Sequence, residues 1–313
     1  MILIVSHRDD LTADLLALKL SEAGCAFVRL NSERFLDARV TWRPEGTFLL
    51  TAEGQKFDVR DIHSVFYRFL PSPIAPPEIP DSVKDFAVRE ASYILRCIEG
   101  LVPPAGWINH PSSIRAADNK LLQLQLASKF GLRTPTTVLS NDPEQLYTFY
   151  REVGSVVCKT LAGGDVVLEG VRSAVFTWRL PVGLTHSDFE TARRLPVLLQ
   201  EWIPKSADLR AVVIDETVFV IRIQSQADEQ TRTDWRRPNL RDLPHEIVQV
   251  DPPLAYSLQR FIRTLNLRFA AVDLVEPVEG SPVFLEINPN GQWAWLQEVT
   301  GAQIAEAFIA ALT

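Results

Sequence analysis

Cysteine is scarce in this 313-residue sequence: Cys25, Cys97 and Cys158 are odd in number, widely separated and set among apolar neighbours. Such a set gives no disulfide framework and reads as reduced core thiols of a cytoplasmic protein, with no catalytic cysteine expected. No apolar run is long enough to span a bilayer. No basic segment precedes the apolar start Met1-Ile2-Leu3-Ile4-Val5, which reads as a strand rather than a signal peptide. Positive charge is not in excess. The net charge of −7 argues against a general nucleic-acid or membrane-surface binder, but leaves room for a local basic site. The turn after the first strand, Ser6-His7-Arg8-Asp9-Asp10, has no glycine. A dinucleotide fingerprint needs glycines there for the pyrophosphate to approach, so a nicotinamide or flavin site is disfavoured. There is no internal repeat, and the one biased stretch is proline-rich, Leu70 to Pro80.

What is present is an α/β pattern long enough for two or three domains, divided here as 1–104, 105–196 and 197–313. The strand Ile2–Val5, a helix from Leu11 to Ala23 closed by Gly24, and the strand Phe27–Leu30 make a βαβ start. The leucines at 11, 15, 16, 18 and 20 are expected to form the apolar face of that helix. A hairpin is expected over Val40–Leu50, a strand over Ile62–Phe69, and a helix over Asp81–Glu99 with Phe86, Ile94 and Leu95 toward the core. A further helix is expected from about Asp118 to Phe130, ending at Gly131.

The chemistry gathers near the C-terminus. Phe269–Val275 and Pro282–Asn288 read as two apolar strands joined by the turn residues Glu279-Gly280-Ser281-Pro282. A hairpin would set Asp273 opposite the Glu286/Asn288 end, and Glu286 and Asn288, two apart, share a face. Buried carboxylates need compensation, and an oxygen-only set favours Mg²⁺. Lys120 falls in the first turn of its helix, where the dipole disfavours a cation, which hints at a ligand as readily as at a solvated lysine. Lys159 ends the strand Val156–Lys159 beside Gly163 and Gly164, an arrangement that can grip phosphates without being a P-loop. Trp202 could flank a planar base. Arg222 ends a strand on the side leading to the Asp273 hairpin, where it would either stabilise transferred charge beside metal and phosphates or form a surface salt bridge. The long polar stretch Gln226 to Pro244 reads as a lid, a binding loop or a disordered segment, and its Arg232, Arg236 and Arg237 suit an acidic peptide or, each taken singly, a solvated charged loop.

Taken in order, these pieces resemble the ATP-grasp superfamily, in the branch of RimK-type ligases and graspetide (microviridin-type) peptide maturases. The pieces are Asn109-His110-Pro111 with Asp118-Asn119-Lys120, Val157-Cys158-Lys159, Gln200-Glu201-Trp202-Ile203, Asp208-Leu209-Arg210, and Asp273 with Glu286-Ile287-Asn288-Pro289-Asn290-Gly291. Tyr67-Arg68, Asp234-Trp235-Arg236 and Gly291-Gln292-Trp293 resemble the maturases in particular. The resemblance implies an ATP-grasp fold behind an N-terminal α/β pre-ATP-grasp domain. It implies ATP held by Lys120, Lys159, Gly163, Gly164, the hinge Glu201, Trp202 and Ile203, and Asp208 on the ribose side. It implies Mg²⁺ on Asp273, Glu286 and Asn288, Arg222 as the catalytic arginine, and Arg210, Arg236, Arg237 and Asn290 toward the substrate. The implied partner is a precursor peptide with a leader and an acidic, hydroxyl-rich core, its Asp or Glu side chains activated as acyl phosphates and condensed with Ser, Thr or Lys. No nucleic-acid or membrane partner is expected, and a homodimer is. Thr160, where the family often has proline after the second lysine, leaves the loop path open. Two other readings remain: a RimK-like ligase adding a free amino acid to a carboxylate, and a non-catalytic binding protein, against which the three metal-ligand candidates speak.

Overall fold

The computed structural model describes residues 1–68, 71–163, 165–168, 171–237 and 243–313. Gly164, the end of the expected strand at Phe69, and residues 238–242 of the long polar stretch lie outside the described residues.

The strand Ile2–Ser6 is the middle of a parallel sheet, between Phe27–Asn31 and Ser64–Tyr67. Alternate residues of a strand point to opposite faces, and both faces here are covered. Ile2 and Ile4 pack with the helix Leu11–Glu22 and the C-terminal helix Ile304–Leu312; Leu3 and Val5 pack toward the helix Asp81–Glu99 and an antiparallel sheet that includes the expected hairpin, Arg39–Arg43 with Thr47–Ala52. The two apolar helix faces differ from expectation. At about 100° per residue, Leu16 and Leu20 lie together, whereas Leu11 and Leu18 fall on the far side, where they are 70% and 55% exposed. Phe86 is likewise opposite Ala91, Leu95 and Ile98, and is 58% exposed. Of the cysteines only Cys158 is buried; Cys25 is half-buried and Cys97 exposed, and all three are unpaired. No described helix is long and apolar enough to cross a membrane.

Two antiparallel sheets follow. One has the order Trp178–Arg179, Val156–Lys159, Val197–Glu201, Thr137–Ser140; the other has His245–Val248, Thr217–Ile223, Lys205–Ile214, Phe269–Pro277, Val283–Asn288. The helix expected from about Asp118 to Phe130 forms as Lys120–Lys129, and a separate short helix, Pro111–Ala117, precedes it. Asn119 separates them because its side chain accepts from the Leu122 N–H, capping the second. On one face of the five-stranded sheet, Leu209, Ala211, Leu274 and Phe284 pack under the helices Pro252–Thr264 and Lys120–Lys129. The other face is divided along the strands. Val212, Ile214, Ile221 and Ala271 join the core shared with the N-terminal sheet. Beyond them on that face come Arg210, Asp273 and Glu286, where the packing gives way to cavities.

Candidate active site

Asp273 and Glu286 are register partners on neighbouring strands, so their side chains leave the same face side by side. The expected hairpin forms, with a bulge just past this pair. Arg210 is the register partner of Asp273 on its other side and donates to Asp273 Oδ1 at 2.7 Å. Gln123 clamps the Glu286 strand by accepting from the Ile287 N–H and donating to its carbonyl.

Three cavities meet at Glu286 and Arg236. Lys120 Nζ lies 2.7 Å from Glu286 Oε2, and Arg236 Nη1 lies 3.6 Å from Oε1. Lys120 thus sits against the helix dipole because a carboxylate awaits it. Burial opposes charge on Glu286, but Lys120, Lys159 and Arg236 outweigh it and hold the carboxyl down at about 2. Lys159 is pushed down from the ordinary lysine range, first by burial and then by Lys120 and Arg236, against the pull of Glu286 and Asp273. Arg236 is itself fixed: Nε and Nη2 make a bidentate pair with Asp234 at 2.9 and 2.8 Å. Asp234 also accepts from the Thr177 N–H, tying the long polar stretch to the segment that follows the glycine loop.

On the side of the four-stranded sheet, the first cavity is lined by Lys159, Gln200, Trp202, Ile203 and Asp208. The hinge N–H groups of Glu201 and Trp202 are taken by the carbonyls of Thr136 and Ser155. Ile203 therefore carries the hinge N–H that a base could use. Arg179 stacks 4.2 Å from the Trp202 ring centroid. Lys120, Lys159, Thr160 and Gly163 line the adjoining cavity. Gly163 has φ +106°, a conformation that favours glycine. Both oxygens of Asp208 are occupied by Lys205 Nζ at 2.8 and 2.6 Å, and burial pushes the Asp208 carboxyl up despite Lys205. Asp208 is thus at the expected cavity but already paired, rather than free for a ribose.

Several expected roles change. Arg222 is the register partner of Leu209 and so leaves the opposite face of the sheet, where it pairs with Glu246 at 3.1 Å and with Glu276. The strand's period of two removes it from the site, and Arg210 stands where that arginine was expected. Arg210 Nε is buried without a partner. Arg237 turns away and lies over the Phe176 ring. Asn290 is held by Arg68 Nη1 through its backbone carbonyl at 2.7 Å and its side-chain Oδ1 at 3.3 Å. Asn288 lines the cavity with Asp273 and Glu286, but its Oδ1 accepts from the Asn290 N–H at 2.9 Å. Among the described residues no three His, Cys, Asp or Glu side chains are grouped to hold a metal ion. The donor set fits a hard cation held by Asp273 and Glu286 and completed by phosphate oxygens. Sequence reading missed Lys205, Asp234, Trp235 and Trp295 as site residues. A spacing of three puts Lys205 and Asp208 on opposite faces of a regular strand, and only the irregularity between Lys205 and Ala207 brings them together; the tilted contact of Trp235 with Trp295, centroids 5.6 Å apart, was not visible in sequence either.

A family model for the "RimK-like ATP-grasp domain" matches residues 117–312, and one for the "MvdD pre-ATP grasp domain" matches residues 1–115. The chain belongs to the RimK-like ATP-grasp family. Its architecture is the α/β ATP-grasp fold with an N-terminal pre-ATP-grasp domain. Among solved structures it is similar to a RiPP-associated ATP-grasp ligase of Chryseobacterium gregarium, in complex with ADP and a leader and core peptide, at 25% identity and TM-score 0.89 over 99% of this chain and 96% of that one. It is also similar in fold to the macrocyclase MdnC of Microcystis aeruginosa bound with precursor peptide MdnA, at 22% identity and TM-score 0.85 over 100% and 99% of the two chains. A "Probable alpha-L-glutamate ligase" of Pseudomonas paraeruginosa is 25% identical over 210 residues, which span 64% of this chain and 65% of that relative's length.

Proposed function

We propose that this chain is an ATP- and Mg²⁺-dependent ligase that activates Asp and Glu side chains of a precursor peptide as acyl phosphates and closes side-chain ester or amide rings. The observation that carries the reading is the paired carboxylates Asp273 and Glu286 where three cavities meet, ringed by Lys120, Lys159, Arg210 and Arg236. Two of those cavities run along the glycine loop and hinge and suit a nucleotide. The third, of about 400 Å³, carries Trp235, Gln292, Trp295 and Glu298 and suits a peptide segment. A carboxylate is a poor electrophile, and phosphorylation supplies its leaving group. The protein's part is positioning and charge. Lys120 and Lys159 meet the phosphates, the Ile203 N–H meets the base, and Arg210 faces the transferring group with its unpartnered Nε. Asp273 and Glu286 would hold Mg²⁺, which when bound offsets phosphate charge. Closing the glycine loop would exclude water, which otherwise hydrolyses an acyl phosphate.

The same reading carries a leader-bearing partner with an acidic, hydroxyl-rich core, a cytoplasmic setting, a homodimer, and the division into units 1–104, 105–196 and 197–313. Incubation with ATP, Mg²⁺ and a leader–core peptide encoded beside the gene tests it: each ring removes one water from the peptide mass. The glutamate-ligase relative gives the second reading, in which incubation with glutamate instead adds residues to a peptide carboxylate. A peptide that gains glutamate and loses no water would replace the first reading with the second.

Three variants check the residue assignments. Mg-ATP should raise the melting temperature of the wild type, because only the folded state has the site. Lys159→Ala should remove most of that rise; an unchanged rise would take Lys159 out of the phosphate site. Arg236 and Arg237 should separate. Arg236→Ala should slow precursor processing by about tenfold or more, as expected for losing charge-assisted hydrogen bonds. Arg237→Ala should process the peptide at nearly the wild-type rate, because Arg237 lines none of the three cavities and packs on the Phe176 ring instead. Equal losses would restore the long stretch as a joint recognition element.

A further inference from the structure

We infer that Arg68, from the N-terminal domain, is a positioning residue for the ligase site: it fixes the loop after Asn288 and, through Gly291, the seat of Arg210. Arg68 follows the strand Ser64–Tyr67 and is buried with Asp10, each side chain 2% exposed. Its Nε donates to Asp10 Oδ2 at 2.9 Å. Its Nη1 donates to the carbonyls of Asn290 at 2.7 Å and Gly291 at 3.1 Å. A guanidinium can join a carboxylate to two carbonyls because its donors are held in one rigid plane. Asp10 is fixed in turn, by the Ser6 hydroxyl and by the N–H groups of Thr12 and Ala13 at the start of its helix. Beside this clamp Thr12 Oγ1 donates to Gln292 Oε1 at 2.5 Å, and Gln292 lines the cavity with Asp273 and Glu286.

The loop held this way is the wall behind Arg210. A Cβ on Gly291 would stand 2.8 Å from Arg210 Nη2, so the glycine backbone and the guanidinium are in close packing. Arg210 reaches Asp273 from that wall at 2.7 Å. A small displacement of Asn290 and Gly291 therefore moves the arginine assigned to the transferring group. A plain domain-to-domain tie would not need to grip these two carbonyls, since Asn109, next to Ile108, whose N–H bonds the Val65 carbonyl of the N-terminal sheet, already makes four bonds to the backbone of Arg268, Phe269 and Pro289.

The inference deepens the proposed function and rests on it for one of its readouts. Asp10→Asn with Arg68→Met removes both buried charges together, so neither is stranded, and asparagine still caps the helix. Arg68→Lys is the second variant; it keeps the charge against Asp10 but has no second nitrogen to reach the loop carbonyls that Nη1 bonds while Nε holds Asp10. Hydrogen exchange, melting and ADP release with a leader–core peptide encoded beside the gene are measured on both, with wild type in parallel. We expect a cooperative melt, faster amide exchange confined to residues 288–292, and kcat lower by about a hundredfold, the scale of a 1 Å misplacement. The Mg-ATP melting shift should persist. Because Arg68 acts through Arg210, its loss should cost little more in an Arg210→Lys background. Unchanged loop exchange, wild-type turnover in either folded variant, or losses that multiply with Arg210→Lys would each overturn the inference. If wild type releases no ADP with the peptide, the proposed function fails, and loop exchange alone then decides the role of Arg68.

Discussion

Glu286→Gln should abolish peptide-dependent ATP turnover while the chain still folds. Glu286 is the carboxylate common to all three cavities, and Lys120, Lys159 and Arg236 converge on it. Glutamine keeps the shape and loses the charge. Without that charge the site holds an excess of cations and one fewer anionic oxygen for a divalent ion. The fold should survive because the strand is anchored elsewhere, by the Gln123 clamp and by Phe284 and Ile287 in the core. A pH dependence accompanies the variant. The Glu286 carboxyl lies at about 2 in the folded chain, below the ordinary value of 4.5. A depressed carboxylate stabilises the fold above its unfolded value and loses that contribution as pH falls through the folded one. The stability difference between wild type and Glu286→Gln should therefore be flat above about pH 4.5 and shrink toward pH 2. Melting across that range and ADP release at neutral pH are the measurements. A folded variant with wild-type turnover would sink the assignment of Glu286.

Arg210→Lys should lower kcat by about a hundredfold, with the apparent affinity for ATP little changed. Loss of one preorganised contact to developing charge commonly costs about 10²–10³ in rate. Lysine preserves a cation beside Asp273, so the buried carboxylate is not stranded, but it lacks the planar fork and the Nε that stands unpartnered in the site. A loss in kcat without a matching loss in binding marks an interaction made in the transition state. Equal losses in both would make Arg210 an ordinary nucleotide contact. Arg222→Ala is the contrast: its partners Glu246 and Glu276 lie on the other face, and turnover should stay near wild type.

The pairing of Asp273 with Glu286 could be read in advance because a hairpin and a period of two leave few alternatives. Lys120 could be singled out for a different reason: a cation in a first helical turn violates a local preference, and the structure accounts for the violation by the Glu286 carboxylate beside it. Arg222 was misread because strand parity is set by pairing with Leu209. A count along one strand fixes which residues share a face, but not which face meets the cavity. The same ambiguity put Leu11, Leu18 and Phe86 on core faces that their helices turn outward.

The sequence by itself determined the βαβ start at the N-terminus, the helices Asp81–Glu99 and Lys120–Lys129, the carboxylate hairpin and the lysine before the glycine loop. These depend on hydrophobic period and turn chemistry, which act over a few residues. Only the tertiary structure decided that Arg210 rather than Arg222 faces the carboxylates. It alone showed that Lys205 occupies Asp208, that Asp234 holds Arg236, and that Arg68 reaches across 222 positions to Asn290. Two of those four pairings join segments distant in the chain, and the two near ones are fixed by burial and by what lies opposite. They are set by how two sheets and an N-terminal domain stack, and no local pattern encodes that stacking.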